Sequence, residues 1–428
     1  MRVAVTLSGA ALCWVVLFGC DDAPLSECAP AALAPLTRVP AYAVVTSDYT
    51  ATAIALLDAD GALLDEAWID SGTTEIGLGA TLNGDVVLPS APLGDGALTL
   101  VDRFVTDVVT RITLADPSER MQAEVRASTA SRSWSPNPHD LAGHPSGNLV
   151  LTRFEVNTLP DAAELDRGDD VVVLDMNSRA VTARVDLAPL GVDVGGERIG
   201  ARPDGIARAG SRYIVGLARL STAFMTTGPG AVALVDVDAR TASAVPLEGL
   251  AYCGEVRALE AALAEPAPMP GDVDVLALCQ GATFVDEDTR RATSGLAVVR
   301  VTADGAARVV RLWRAAAHRE VGSPTNLIAT LDAGRAVFAA RGEANSDTTD
   351  RLVAIDLNEE RAQTVHVSAL RFALLSGAYD ATRGLLLVPE GELGVHRLDV
   401  GLDLDIRSRD HVDVSPCRRL SARQVGAL

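Results

Sequence analysis

The chain has 428 residues with 57 acidic and 37 basic side chains, a formal net charge of −20, and all of its basic residues are arginine. The charge argues against nucleic-acid backbones and anionic membrane surfaces as partners, and the absence of lysine excludes Schiff-base and lysine-nucleophile chemistry. A hydrophobic fraction of 48% supports a packed core, and the length exceeds what one core normally serves, which predicts several domains or a repeat architecture.

The N-terminus carries a targeting pattern. Arg2 precedes an apolar run over residues 3–18 that is short for a bilayer span, and Leu17-Phe18-Gly19-Cys20 follows. This resembles a bacterial lipoprotein signal peptide, which implies a signal at residues 1–19, a lipid on Cys20 and a location in the bacterial cell envelope, facing the periplasm or the exterior. A plain secretory signal cleaved elsewhere and an uncleaved anchor are the alternatives. Residues 20–40 are rich in Pro and Ala and predict a tether.

Residues 41–428 contain a repeated unit. An apolar strand recurs seven times, and it ends in Asp in six copies and in Val in one. Most copies are preceded by a second pattern, which consists of a polar starter, a strand, a Gly turn and another strand. The strand ends are Asp58, Asp102, Asp175, Asp236, Val301, Asp356 and Asp399, and the clearest preceding patterns are residues 74–90, 138–154, 203–220 and 324–342. A terminal Asp can accept hydrogen bonds from amides of the next turn, so we assign these aspartates a structural role.

Four antiparallel strands repeated seven times predict an all-β, seven-bladed β-propeller of four-stranded antiparallel blades. Residues 256–264 and 311–319 have a weak helical period and are predicted as loop or short helix. The blade pattern over about residues 41–415 resembles the bacterial propeller group that includes YVTN-repeat surface proteins and lactonase-like propellers. This resemblance implies the fold and an extracytoplasmic location.

The first unit lacks an obvious first strand, so we expect one terminal segment to complete it. Outside the signal peptide and Cys20 there are four cysteines, which allow three pairings, and export favours disulfides. We predict that Cys28–Cys417 joins the termini. We also predict Cys253–Cys279 across a hairpin, because the midpoint of that pair falls in a Pro-rich turn.

Acidic residues gather in the loops predicted at one face, at residues 157–170, 286–295 and 343–350. We expect this face to be strongly negative and to bind a cationic ligand or another envelope protein. The predicted partner-binding residues are Asp161, Glu164, Asp166, Asp169, Asp286, Glu287, Asp288, Glu343, Asp347 and Asp350. The polar starters of the first strands place Glu75, Asp140, Asp204 and Glu255 at the same rim as a candidate divalent-metal site that could hold Ca²⁺. The alternative is that the long loops are polar for solubility and that the acids of the first strands cap turns.

The six histidines (His139, His144, His318, His366, His396 and His411) show no ligand spacing. Only His139 beside Asp140 suggests an acid–base pair, and neighbouring residues of a strand point to opposite faces, which argues against it. The sequence thus predicts a monomeric, lipid-anchored binding or scaffolding module of the cell envelope that contacts the membrane only through its lipid. The alternative is a metal-assisted hydrolase of lactonase type with acids at the channel mouth.

Overall fold

The computed structural model describes residues 28–31, 33–73, 79–80, 82–103, 105–127, 133–318, 321–332, 334–341 and 349–428. The predicted signal peptide, Cys20, Glu75, Glu343 and Asp347 lie outside these residues. Within them, no helix is long and apolar enough to cross a membrane.

The chain forms seven four-stranded antiparallel sheets arranged as the blades of a propeller. The strands of the first three blades are β1 (Tyr42–Ser47), β2 (Thr52–Leu57), β3 (Leu63–Asp70), β4 (Val86–Val87), β5 (Ala97–Asp102), β6 (Val108–Thr113), β7 (Arg120–Glu124), β8 (Pro138–Gly143), β9 (Leu149–Val156), β10 (Gly168–Asp175) and β11 (Ala180–Asp186). A two-stranded hairpin, β12 (Val192–Val194) and β13 (Glu197–Ile199), precedes blade 4.

The remaining strands are β14 (Pro203–Ala209), β15 (Arg212–Leu217), β16 (Pro229–Asp236), β17 (Thr241–Ala251), β18 (Glu255–Ala258), β19 (Val273–Cys279), β20 (Gly295–Val301), β21 (Ala307–Arg314), β22 (Ser323–Asp332), β23 (Arg335–Arg341), β24 (Arg351–Asp356), β25 (Arg361–Val367), β26 (Ala378–Asp380), β27 (Leu385–Pro389), β28 (Val395–Val400), β29 (Ile406–Val412) and β30 (Ser421–Ala427). The helix α1 (Glu287–Thr293) lies between β19 and β20, and three short 3₁₀ turns cover Glu164–Asp166, Ala188–Leu190 and Ala315–Ala317.

We letter the strands of each blade A to D from the central channel outward. Blade 1 is β30, β1, β2 and β3; blades 2 and 3 are β4–β7 and β8–β11; blades 4 to 7 are β14–β17, β18–β21, β22–β25 and β26–β29. The loops from B to C and from D to the next A open on one side, which we call the mouth face.

Each blade buries both of its faces, and β1 shows how: all six of its residues are buried. Ala43 and Val45 pack towards blade 2, whereas Tyr42 and Val44 pack towards blade 7. Successive side chains of a strand point to opposite sides, so a strand between two neighbours has no polar face. This explains the continuous apolar runs, and seven core clusters of this kind fill the seven blade interfaces.

The C-terminal strand closes the ring. β30 pairs antiparallel with β1, with Val425 opposite Val44, and supplies strand A of blade 1. The predicted completion of the first unit by a terminal segment is therefore confirmed. Both predicted disulfides are also present: Cys28–Cys417 spans 389 positions, and Cys253–Cys279 links the start of strand A to the end of strand B in blade 5.

The described part of the predicted tether, from Cys28 onward, lies along the outer edge of blade 1. The Leu33 amide donates to Trp68 O at 3.1 Å, and the Trp68 indole N–H donates to Ala34 O at 2.9 Å. Near the disulfide, Arg418 donates to Asp70 at 2.9 Å and to Ala29 O at 2.8 Å. The segment covers what would otherwise be an open sheet edge.

The strand-end aspartates have the predicted structural role where their turns are tight. Asp58, Asp175 and Asp356 each accept an amide hydrogen bond from two residues further on, at 2.8–3.0 Å. Blade 2 differs from the prediction. Its strand A is the short β4, so Asp102 ends strand B at the mouth face, where its carboxylate accepts the Asn83 amide at 3.0 Å. Strands B and C are both apolar on both sides, so the sequence pattern does not distinguish them.

Two segments predicted as loop or short helix agree in part with the structure. Residues 256–258 and 311–314 lie in β18 and β21, whereas residues 259–264 form a loop and Ala315–Ala317 form a helical turn, as predicted.

We expect Val425→Asp to destabilise the whole ring, because Val425 is 1% exposed and packs against both blade 1 and blade 7. An unpaired carboxylate there should lower the free energy of unfolding by at least about 3 kcal/mol. Val309→Asp, at a position 36% exposed on the outer strand β21, is the matched control and should change it by less than about 1 kcal/mol. Chemical denaturation of both proteins measures this, and equal losses would contradict the closing role of β30.

Candidate functional site

The A strands of all seven blades border a central cavity of about 280 Å³ at the mouth face. Its walls carry residues from each blade, including His139, Asp140, Asp204, Glu255, Arg257, Asn326 and Gln424. The predicted convergence of the strand-A starters on one rim is therefore found for those starters that are described.

Asp140 holds three blades together. Its Oδ1 accepts the amides of Ser90 at 2.9 Å and of Leu141 at 2.8 Å, and its Oδ2 accepts the Ile206 amide at 3.0 Å. Burial raises the pKa of this carboxyl group. Because main-chain donors already occupy both oxygens, Asp140 acts as a brace between the A strands and is poorly placed to ligate a metal.

His139 pairs with Asp204 and not with its neighbour Asp140. The distance from His139 Nδ1 to Asp204 Oδ1 is 2.7 Å, and the imidazole stacks on the Phe154 ring at 4.2 Å between centroids. Burial alone would raise the pKa of Asp204, but the attraction of His139 outweighs it and lowers that pKa. The adjacent pair suggested by the sequence is thus wrong, since neighbouring strand residues point to opposite sides.

Glu255 is the third predicted acid in the cavity. Its Oε2 accepts the Leu327 amide at 2.6 Å, which links blade 5 to blade 6. Burial raises the pKa of Glu255 to about 8 despite that hydrogen bond. Nearby, Arg257 donates to Gly377 O at 3.3 Å and contacts Ser376.

Three of the four predicted metal ligands, Asp140, Asp204 and Glu255, are among the described residues. Among the described residues, the groups that place three potential ligand atoms within 4.8 Å of one another are Cys28, Glu66 and Cys417, whose cysteines are joined, and His366, Glu390 and His396. Asp140, Asp204 and Glu255 share a cavity without forming such a group. The cavity is also not strongly negative, because Arg103, Arg257 and Arg423 line it together with the acids.

The acidic loops lie between strands B and C, as predicted, but many of their carboxylates are turned inward. Asp166, Asp169 and Asp350 are at most 4% exposed and accept main-chain amides, from Ala127 to Asp166 and from Ala373 to Asp350 for example. Glu287 accepts from the Ser323 hydroxyl at 3.0 Å, and Asp286 caps helix α1. Of the predicted partner-binding acids that are described, Asp161, Glu164, Asp286 and Asp288 are exposed.

The mouth face is richer in exposed apolar side chains than the sequence suggested. Thirteen large apolar residues of the described chain are at least 36% exposed, and nine of them lie at this face. The nine are Tyr49, Val105, Val156, Phe224, Met225, Phe284, Val367, Phe372 and Leu393; the other four are Val39, Met269, Val309 and Leu402.

Several of these residues have a strained backbone. Tyr49, Val105, Phe224, Phe284 and Phe372 all have φ between 53° and 74°, the left-handed region that β-branched and bulky residues rarely adopt. Such a residue costs on the order of 1–3 kcal/mol and persists where its surroundings enforce it, often at functional sites.

Arginines of the same chain cover three of the mouth-face aromatic rings. The guanidinium of Arg423 lies 4.5 Å from the Tyr49 ring centroid, that of Arg202 lies 4.4 Å from Phe224, and that of Arg341 lies 4.7 Å from Phe372. These cation–π contacts fill ring faces that a cationic ligand would otherwise use.

A histidine cluster, which the sequence analysis missed, lies where blades 6 and 7 meet at the mouth face. Glu390 Oε1 is 3.0 Å from His366 Nε2, and Glu390 Oε2 is 2.8 Å from His411 Nε2 and 3.5 Å from His396 Nδ1. Burial would raise the pKa of Glu390, but the hydrogen bonds with His366 and His411 and the proximity of His396 hold it well below its usual range. Linear spacing could not reveal the cluster, because its members come from four strand ends in two blades.

No family model and no curated protein matches the chain. Several solved structures are similar to it in fold. A putative 6-phosphogluconolactonase from Bacteroides fragilis has a TM-score of 0.54 at 9% identity, with 91% of this chain and 98% of that chain covered. One from Bacteroides uniformis gives 0.52 at 9% identity, covering 91% and 99%, and a streptogramin B lyase gives 0.47 at 11% identity, covering 83% and 92%. At these identities the likeness shows the fold alone: the chain is a seven-bladed β-propeller with lactonase-like structural neighbours.

We expect the raised pKa of Glu255 to make stability depend on pH. In the unfolded chain this carboxyl ionises near pH 4.5, whereas in the folded protein it ionises near 8. The folded state therefore binds more protons between these values, and stability falls as pH rises through that window, by about 1 kcal/mol per pH unit. Glu255→Gln, which can still accept the Leu327 amide, should flatten this slope in denaturant titrations from pH 5 to 8. An unchanged slope would contradict the assignment.

Proposed function

We propose that the protein is a lipid-anchored, extracytoplasmic binding module of the bacterial cell envelope, whose mouth face docks another envelope protein. The observation that carries this proposal is the concentration of exposed apolar side chains on that face, from nearly every blade. Exposed apolar surface gathered on one side of a protein is characteristic of interaction sites.

The composition of the face favours a protein over a small cation. Aromatic residues and arginine dominate the residues that contribute most to protein–protein binding, and here they occur as stacked pairs. Since the rings of Tyr49, Phe224 and Phe372 are already covered by arginines, a free cation would have to displace them. The exposed carboxylates of Asp161, Glu164, Asp286 and Asp288 would then form a polar rim around the apolar residues.

The main test is site-specific photocrosslinking of the full chain in cells. A crosslinking amino acid at Phe284, 68% exposed on the mouth face, should capture one defined envelope protein, whereas the same group at Leu402, 86% exposed on the opposite side, should not. Phe224→Ser with Phe284→Ser should reduce the captured amount at least tenfold when the crosslinker is placed at Tyr49. Met269→Ser with Leu402→Ser is the matched control. Equal capture from both sides of the ring would contradict the proposal.

The anchor is tested in the same cells. Wild-type protein should sediment with membranes and Cys20→Ala should not, because the acyl chains attached at Cys20 would supply the membrane attachment. Sedimentation of both proteins would contradict lipidation at Cys20.

The second candidate function is a metal-assisted hydrolase of lactonase type. One observation favours it: at the edge of the cavity, Asp204 orients the His139 imidazole through a 2.7 Å contact, as a general base requires. A hydrolase of this kind should lose at least about 10²-fold in turnover with His139→Ala, while His144→Ala, in an exposed turn, should be neutral. The binding-module proposal expects no difference in lactone hydrolysis between wild type and His139→Ala, measured with added divalent metals.

A further inference from the structure

The cluster of His366, Glu390, His396 and His411 gathers half of the six histidines of the chain around one carboxylate. His366 ends strand D of blade 6, and Glu390, His396 and His411 lie at the mouth-face ends of strands B, C and D of blade 7. Glu390 and His396 are each 1% exposed. His366 and His411 are partly exposed, with side-chain exposures of 21% and 34%, and give access from solvent.

One ring nitrogen in this cluster lacks a hydrogen-bond partner. His396 Nε2 lies 2.7 Å from Ser408 Oγ, whereas His396 Nδ1 is buried with no hydrogen-bond partner and faces Glu390 Oε2 at 3.5 Å. In the tautomer whose Nε2–H donates to Ser408, the lone pair of Nδ1 faces the anionic Glu390 oxygen, and a cation between the two atoms would be bound by both. A histidine whose outer nitrogen is held by a polar group and whose inner nitrogen is free is the usual arrangement of a metal ligand.

We propose that this cluster binds one divalent transition-metal ion of the Zn²⁺ class. His366 Nε2 and His396 Nδ1, which lie 3.0 Å and 3.5 Å from the two Glu390 oxygens, would be ligands together with Glu390, and one potential ligand atom of each of the three residues lies within 4.8 Å of the other two. Ligand atoms at about 2.0–2.2 Å from Zn²⁺ in a tetrahedron lie about 3.3–3.6 Å apart, so modest side-chain movement would complete the site. His411 Nε2 lies outside this group of three but 2.8 Å from Glu390 Oε2, and rotation of its partly exposed side chain would bring it in as the fourth ligand.

The donor set selects the class of ion. Three imidazoles and one carboxylate suit Zn²⁺ and its neighbours, whereas Ca²⁺ takes six to eight oxygen ligands. The site is therefore distinct from the oxygen-rich Ca²⁺ site that the sequence suggested at the channel. A divalent ion would also neutralise Glu390, whose burial as an isolated anion is costly.

The ion would join two blades. Its ligands come from β25 in blade 6 and from three strand ends of blade 7, next to the interface that β30 closes. We therefore expect the ion to stabilise the ring, since any ligand that binds only the folded state raises the temperature of unfolding.

The test is titration of the full chain, purified without a polyhistidine tag and stripped with a chelator, with Zn²⁺ alone. Calorimetry and elemental analysis should give one ion per chain. His366→Ala and His411→Ala, at partly exposed positions, should each weaken Zn²⁺ binding at least tenfold, and His144→Ala should leave it unchanged. Zn²⁺ should raise the melting temperature of wild type and of His144→Ala but not of the other two variants.

Circular dichroism establishes that each variant is folded before it is titrated, and Glu390→Gln serves as a further ligand variant if either alanine variant fails to fold. Absence of stoichiometric Zn²⁺ binding in the wild type would overturn the proposal. So would wild-type affinity in both His366→Ala and His411→Ala. Both results are independent of whether the mouth face docks a protein.

Discussion

Burial on both faces of every blade is the constraint on which the rest of the structure depends. A sheet such as β1–β3 cannot satisfy it alone, because Tyr42 and Val44 need blade 7 while Ala43 and Val45 need blade 2. Each blade therefore requires two neighbours, and the requirement is met everywhere only if the series closes on itself. Closure brings together segments nearly 400 positions apart, at a large cost in chain entropy. Strand β30 meets that cost through its apolar contacts, and the Cys28–Cys417 disulfide lowers it by restricting the unfolded chain.

The same constraint determines what the carboxylates at the channel do. Where A strands of neighbouring blades approach each other, their amide groups face the cavity and need acceptors. Asp140 and Glu255 provide these acceptors across blade boundaries, and Gln424 does so between blades 1 and 2 through Leu88. The acids that look catalytic in the sequence are thus largely part of the framework. The proposed docking and metal-binding sites lie further out, at the loops and at the junction of blades 6 and 7, where some polar and apolar groups are not used by the framework.

The sequence predicted the features that repeat and missed those that arise from contact between repeats. Blade number, strand count, the incomplete first blade and both disulfides follow from periodic apolar runs and from cysteine positions. The error in blade 2 arose because β5 is as apolar as a C strand. The sequence could not distinguish buried Asp166 and Asp169 from exposed Asp161, because all three lie within nine residues of the same acidic loop. The histidine cluster depends on the register of blade 7 against blade 6, although one signal was present: His366, His396 and His411 all fall at strand ends that open on the same face.

The course of the N-terminal segment determines where the proposed lipid anchor would attach to the propeller. Cys28 is fixed beside the mouth-face end of β3, where Arg418 joins Asp70 and Ala29, and the chain then descends along blade 1 to Arg38, which pairs with Asp58 on the opposite side. Cys28 lies eight positions after Cys20, a reach of at most about 29 Å. A lipid on Cys20 would therefore tether the propeller through a short segment that is attached near the mouth face. A partner would then approach that face from the space just above the bilayer, so short membrane-bound proteins would be favoured over those diffusing in the bulk.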